Sequence, residues 1–82
     1  MSTEIFVHPD CPDCTDVIAQ FQADPQVFGD AELLDVTNLP NLKRFLTLRD
    51  SLDGFADVRA TGKIGVPSKV IDGTTVEFPG EV

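Results

Sequence analysis

The sequence predicts one α/β domain over residues 1–82, a four-stranded mixed sheet with helices packed on it, in the order β-α-β-α-(α)-β-β. Short β-rich runs alternate with stretches whose apolar residues recur at helical spacing. A strand–helix–strand crossover at the start makes the first two strands parallel. A turn dipeptide, Asp72-Gly73, joins the last two runs and makes them antiparallel.

The first strand is read over residues 4–8, Glu-Ile-Phe-Val-His, and Pro9 ends it. A helix follows over roughly residues 12–23. Val17, Ile18 and Phe21 form its apolar face, with Cys14 one turn before, and Pro12 suits its first turn. Asp24-Pro25 stops it. Residues 31–36, Ala-Glu-Leu-Leu-Asp-Val, read as the second strand. Asn38 and Pro40 open the next helix, whose apolar positions are Leu42, Phe45, Leu46 and Leu52. A short third helix is predicted from Asp53 to Ala60, with Phe55 and Val58 inward and Gly62 as its stop. Ser68–Ile71 and Thr74–Phe78 are the closing strands, joined by a two-residue turn that tolerates positive φ.

Composition narrows the function classes. With 41% hydrophobic and 24% charged residues and six Phe, the chain can build a core and is not a disordered segment. A domain of this size buries only about 60% of the surface its unfolded chain exposes, so it needs a compact architecture or a staple. A net charge of −8 repels nucleic acid and anionic membrane surfaces. Apolar runs such as Ile5–Val7 are far too short to span a bilayer, and Met1-Ser2-Thr3-Glu4 lacks the features of a signal peptide. The expected location is the cytoplasm. Thiols are kept reduced there, so a cysteine pair is expected to be catalytic or metal-binding rather than a permanent staple.

Cys11-Pro12-Asp13-Cys14 carries the chemistry, because it falls where the first strand gives way to the first helix. Unsatisfied backbone N–H groups and the helix dipole stabilise an anion at that point. They favour the thiolate, which is the nucleophile. Cys11, at the helix mouth, is predicted to be the exposed attacking sulfur. Cys14, one turn in, is predicted to be buried and to resolve the mixed disulfide, with Pro12 holding the turn. Asp10, Asp13 and Asp16 surround the pair and oppose the dipole. The same spacing fits half of a zinc site, to which His8 could add a third ligand, or an iron–sulfur cluster bridging two chains through Cys11. A non-catalytic interaction domain is a third reading. The strand–helix setting favours disulfide exchange, with no metal and no tightly bound cofactor. His8 reads as an exposed strand end. The amphipathic stretch Leu42–Leu52 reads as facing the core.

Gly65-Val66-Pro67 is the second element: a proline entering a strand after a glycine-rich approach is a candidate cis peptide. Together with the cysteine motif and the hairpin after it, this dipeptide resembles a glutaredoxin. Asn41–Leu46, Leu48–Ser51 and Gly62–Pro67 are similar to a group of short bacterial glutaredoxin-related proteins, and the likeness spans residues 5 to 78. The resemblance implies a thioredoxin-like fold with Pro67 in cis beside Cys11 and Cys14. It implies that the Val66 backbone pairs with the substrate's backbone, a strand-addition contact. Pro12 and Asp13 would line the substrate site; Lys63 and Lys69, flanking Val66-Pro67, read either as surface cations that serve solubility or as a local attraction for an anionic substrate. Protein disulfides or mixed glutathione disulfides are the implied substrates. Glutathione, as a co-substrate, or a flavoprotein reductase would return the electrons. The chain departs from that family at Asp13, where an aromatic residue is usual, and at Gly65, where Thr or Ser is usual. It also ends at Phe78-Pro79-Gly80-Glu81-Val82, without the usual C-terminal helix.

Overall fold

In the computed structural model, which describes residues 3–24, 26, 29 and 31–79, the chain opens with strand β1 (Thr3–Val7) and crosses through helix α1 (Pro12–Ala23) to β2 (Glu32–Asp35). Helix α2 (Leu39–Ser51), a 3-10 turn (Asp53–Phe55) and helix α3 (Ala56–Thr61) follow. Strands β3 (Ser68–Ile71) and β4 (Thr75–Glu77) close the chain. The sheet order is β2-β1-β3-β4, with β1 parallel to β2 and antiparallel to β3, and β3 antiparallel to β4. The expected mixed sheet is therefore present. Pro25 and Gly80–Val82, which figured in the expected helix stop and chain end, lie outside the described residues. Among the described residues no helix is long and apolar enough to cross a membrane.

Local rules account for the helix ends. Asn38 caps α2, its side-chain oxygen accepting the Asn41 N–H at 3.3 Å, and Asn41 Nδ2 donates back to the Asp35 carbonyl at 3.1 Å. That second bond ties the start of α2 to the end of β2. Gly62 closes α3 in the left-handed conformation, φ +74°.

Strand register divides the core. Phe6 pairs with Leu34 and Ser68, so these three side chains share one sheet face, and Val70 and Val76 extend it. Phe6 meets Phe45 of α2 on this face, the ring centroids 5.3 Å apart. Phe45 then meets Phe55 at 5.9 Å and Phe55 meets Phe78 at 5.6 Å, both edge-to-face. Ile5 and Val7 point the other way and are equally buried, which leaves α1, with Cys14 and Val17 inward, to cover them. Toward β3 and β4 that second face turns polar: Lys69 and Glu77 lie opposite each other with 3.6 Å between ammonium and carboxylate.

Three expectations are corrected. The third helix does not start at Asp53; its first turn is 3-10, and the α-helix begins at Ala56. The hairpin loop has three residues. Asp72 and Gly73 do take positive φ, and the Thr74 N–H reaches the Ile71 carbonyl, but Ile71 pairs with Thr75 and leaves Thr74 as an extra residue. In α2, Leu46 does not face the core and Leu48 does: Leu46 is 41% exposed, Leu48 5%. Once Phe45 is wedged between Phe6 and Phe55, Leu48 lies on the same side and Leu46 is turned about 100° away.

Candidate functional site

Cys11 is the residue that caps α1. Its backbone is extended (φ −83°, ψ 124°), and its sulfur accepts the Cys14 N–H at 3.2 Å, the part a serine or aspartate oxygen usually plays. Two bonds shape the approach: the Cys11 N–H donates to the His8 carbonyl at 3.1 Å, and the Asp10 N–H donates to His8 Nδ1 at 3.0 Å. The Cys11 carbonyl then accepts the Thr15 N–H at 3.1 Å and its hydroxyl at 3.2 Å. A strand end, a tight turn and a helix start thus hold this sulfur over the positive end of a helix dipole.

Across from it the Val66–Pro67 peptide bond is cis, and the Cys11 thiol points at the Val66 carbonyl, 3.8 Å away. The β1–β3 ladder ends at the Phe6–Ser68 pair, so the Val66 backbone lies just past the sheet's hydrogen-bonded rows. Gly65 ahead of it has φ +102°, and an added Cβ would stand 3.1 Å from a Val58 methyl and 3.3 Å from the Phe55 ring. Glycine at this position is therefore required by backbone and packing together.

Both cysteines are free thiols. Cys14 is fully buried and in hydrogen-bonding contact with the Cys11 sulfur. Burial, then that hydrogen bond, then the charges of Cys11 and Asp13 push the Cys14 thiol up to about 12, against the pull of the His8 backbone amide. Its contribution to stability is thus complete below the ordinary thiol value of 9.0 and is lost as pH rises toward about 12. The reduced protein is expected to lose stability over that window, and Cys14→Ala to lose less. Urea midpoints at neutral pH and at about pH 10.5 measure this; parallel declines in the two proteins would contradict it.

Cys11 departs from expectation: it is 6% exposed, not an open thiol. Folding its sulfur back over the helix end covers it, and access runs through a cavity of about 200 Å³ lined by His8, Asp10, Cys11, Pro12, Ile64 and Val66. Of the residues singled out from sequence, Pro12 and Val66 line this cavity with Cys11, and Pro67 is buried beside it. Asp13 is exposed in the first turn of α1 and is not among the lining residues. Lys63 lines a neighbouring cavity. Lys69 lines neither cavity, because it projects from the other sheet face toward Glu77. His8 is half-buried and lines both cavities, rather than standing as an exposed strand end. Among the described residues no group of three or more His, Cys, Asp or Glu side chains is placed to hold a metal ion.

Sequence reasoning missed Ile64 and Arg49. Arg49 donates from Nε to the Ile64 carbonyl at 2.8 Å and from Nη2 to the Lys63 carbonyl at 2.7 Å, pinning the loop that leads to Val66. The available signal was an arginine at i+7 from Leu42 on the apolar side of α2, a place where a solvated cation is not expected.

An uncharacterized protein of Haemophilus influenzae is 33% identical to this chain over 67 residues, covering 82% of this chain and 76% of the relative. No family model matches the chain. No solved structure matches it.

Proposed function

We propose that this chain, which belongs to the same family as the Haemophilus influenzae protein, is a cytoplasmic thiol–disulfide oxidoreductase of thioredoxin-like fold, related to the glutaredoxins. The observation that carries the reading is the Cys11 sulfur. It caps α1 at 3.2 Å from the Cys14 N–H, contacts the Cys14 thiol and opens on a cavity beside cis Val66-Pro67. Strand order and directions support the fold assignment.

In this mechanism the Cys11 thiolate attacks one sulfur of a substrate disulfide. An S–S bond forms between Cys11 and that sulfur, and the other substrate sulfur leaves as a thiolate. The mixed disulfide removes the Cys11 hydrogen bond and charge that help hold the proton on Cys14. Cys14 then gives its proton to the departing thiolate and attacks the Cys11 sulfur. The substrate leaves as two thiols, reduced by two electrons, and Cys11–Cys14 closes as a disulfide. Protein disulfides and mixed glutathione disulfides are the substrate classes. Glutathione or a flavoprotein reductase returns the electron pair. The Val66 backbone, beyond the end of the ladder, offers the guest chain a strand-like contact.

The test is a redox titration of the purified protein in thiol–disulfide buffers, followed by mass spectrometry. A reversible species two hydrogens lighter, whose only cross-link joins Cys11 and Cys14, is expected. Failure to close that bond under any buffer ratio would refute the reading. Coupled assays with glutathione and its reductase, or with a thioredoxin-type reductase and NADPH, then identify the electron source.

A further inference from the structure

A second, larger cavity of about 400 Å³ neighbours the one that opens on Cys11, sharing His8 and Ile64 with it. Its floor is apolar: Val36, Leu42, Phe45, Leu46 and Ile64. Leu46 and Ile64 are 41% and 54% exposed, two of the three large apolar side chains left in solvent among the described residues. Exposed apolar surface rimmed by polar groups is the usual mark of an interaction site.

The rim carries the opposite character from the rest of the chain. Arg49 and Lys63 line it together with His8, and among the described residues no Asp or Glu does. The Arg49 guanidinium is held in place by its two bonds to the 63–64 loop, with exposed Asp50 as a carboxylate neighbour at 3.6 Å. The site is thus pre-organised. At physiological salt, fields are screened beyond about 8 Å, so an arriving peptide meets this local rim rather than the net charge of −8.

We infer that this cavity is the specificity pocket for peptide substrates, taking a large apolar side chain next to the substrate cysteine while a neighbouring carboxylate meets the basic rim. The inference rests on the exchange reaction proposed above. It adds the substrate class: disulfides in acidic-apolar peptide segments.

The test uses reduced protein and peptides whose cysteine is joined to a chromogenic aromatic thiol, so that attack by Cys11 releases colour. The cysteine is followed by Leu-Glu, Ala-Glu or Leu-Lys. The Leu-Glu peptide is expected to react about tenfold faster than Ala-Glu and about threefold faster than Leu-Lys at physiological salt. In Leu46→Asp the Leu-Glu to Ala-Glu ratio is expected to fall to within about twofold of unity. Because each ratio is taken within one protein, a general change in thiol reactivity cancels. Equal rates for Leu-Glu and Ala-Glu, in a protein that still consumes bis(2-hydroxyethyl) disulfide, would overturn the pocket and leave the exchange reaction standing. Should that small disulfide not be consumed, the exchange reaction fails, and the pocket is judged by anisotropy with a dye-labelled, S-methylated Leu-Glu peptide. Binding weakened in Leu46→Asp would uphold it, and no binding would overturn it.

Discussion

Cys11→Ser is expected to abolish disulfide exchange, lowering kcat/KM on bis(2-hydroxyethyl) disulfide by at least about a thousandfold. Serine is the informative substitution because it separates the two duties of Cys11. Its hydroxyl oxygen can accept the Cys14 N–H that the sulfur accepts now at 3.2 Å, so α1 keeps its cap. It cannot form the S–S bond. The urea midpoint should therefore stay close to that of the wild type while turnover vanishes. Cys14→Ala should behave differently. Cys11 still attacks, but with no second thiol the mixed disulfide accumulates and is visible by mass spectrometry without reductant. Activity retained by Cys11→Ser would assign the chemistry elsewhere. Release of product by Cys14→Ala as fast as by the wild type would show that Cys14 does not resolve the intermediate.

Phe55→Ala is expected to cost about 3–5 kcal/mol of unfolding free energy, the range for removing a buried aromatic ring. For a domain with about 5–15 kcal/mol in total this is a large share. Phe55 is fully buried and is the middle of a chain of rings, edge-to-face with Phe45 on one side and Phe78 on the other. Its ring also lies under Gly65, so the cavity left behind would undermine the loop that presents Val66 to Cys11. A urea titration gives the cost. A loss below about 1 kcal/mol would mean that the surrounding rings collapse into the space, and that the aromatic row does not hold the core together.

Much of the scaffold was legible because local chemistry writes it into short windows. Pro12 at the first helical position, the Asn38 cap and the Gly62 stop mark where helices begin and end, and the structure has them in those roles. The strand–helix–strand order and the Asp72-Gly73 turn carried the sheet's directions. The turn's third residue was not legible, since a bulge depends on how β3 and β4 twist against each other and not on the dipeptide.

The grouping of residues around Cys11 was legible in part: Asp13 and Lys69 stand apart from the cavity, and Ile64 was not foreseen. Cys11, Cys14, Pro12, Val66 and Pro67 could be named in advance, and the fold brings them together from positions more than fifty residues apart. Lys63 and Lys69 looked equivalent by spacing. They separate because one lies in the loop before the sheet and the other projects from the sheet face opposite Phe6.

By itself, then, the amino-acid order determined that a helix begins between the two cysteines and that Cys11 stands at its cap, because capping and turn preferences operate over three or four residues. Tertiary packing decided the rest: how far Cys11 is covered, which leucine of α2 faces inward, and that an apolar cavity lined by Arg49 and Lys63 opens next to the one that Cys11 lines. These follow from where α2 and the 62–65 loop come to rest against the sheet. That position is set by the Phe6–Phe45–Phe55–Phe78 contacts and the Arg49 bonds, which join residues that no short window contains.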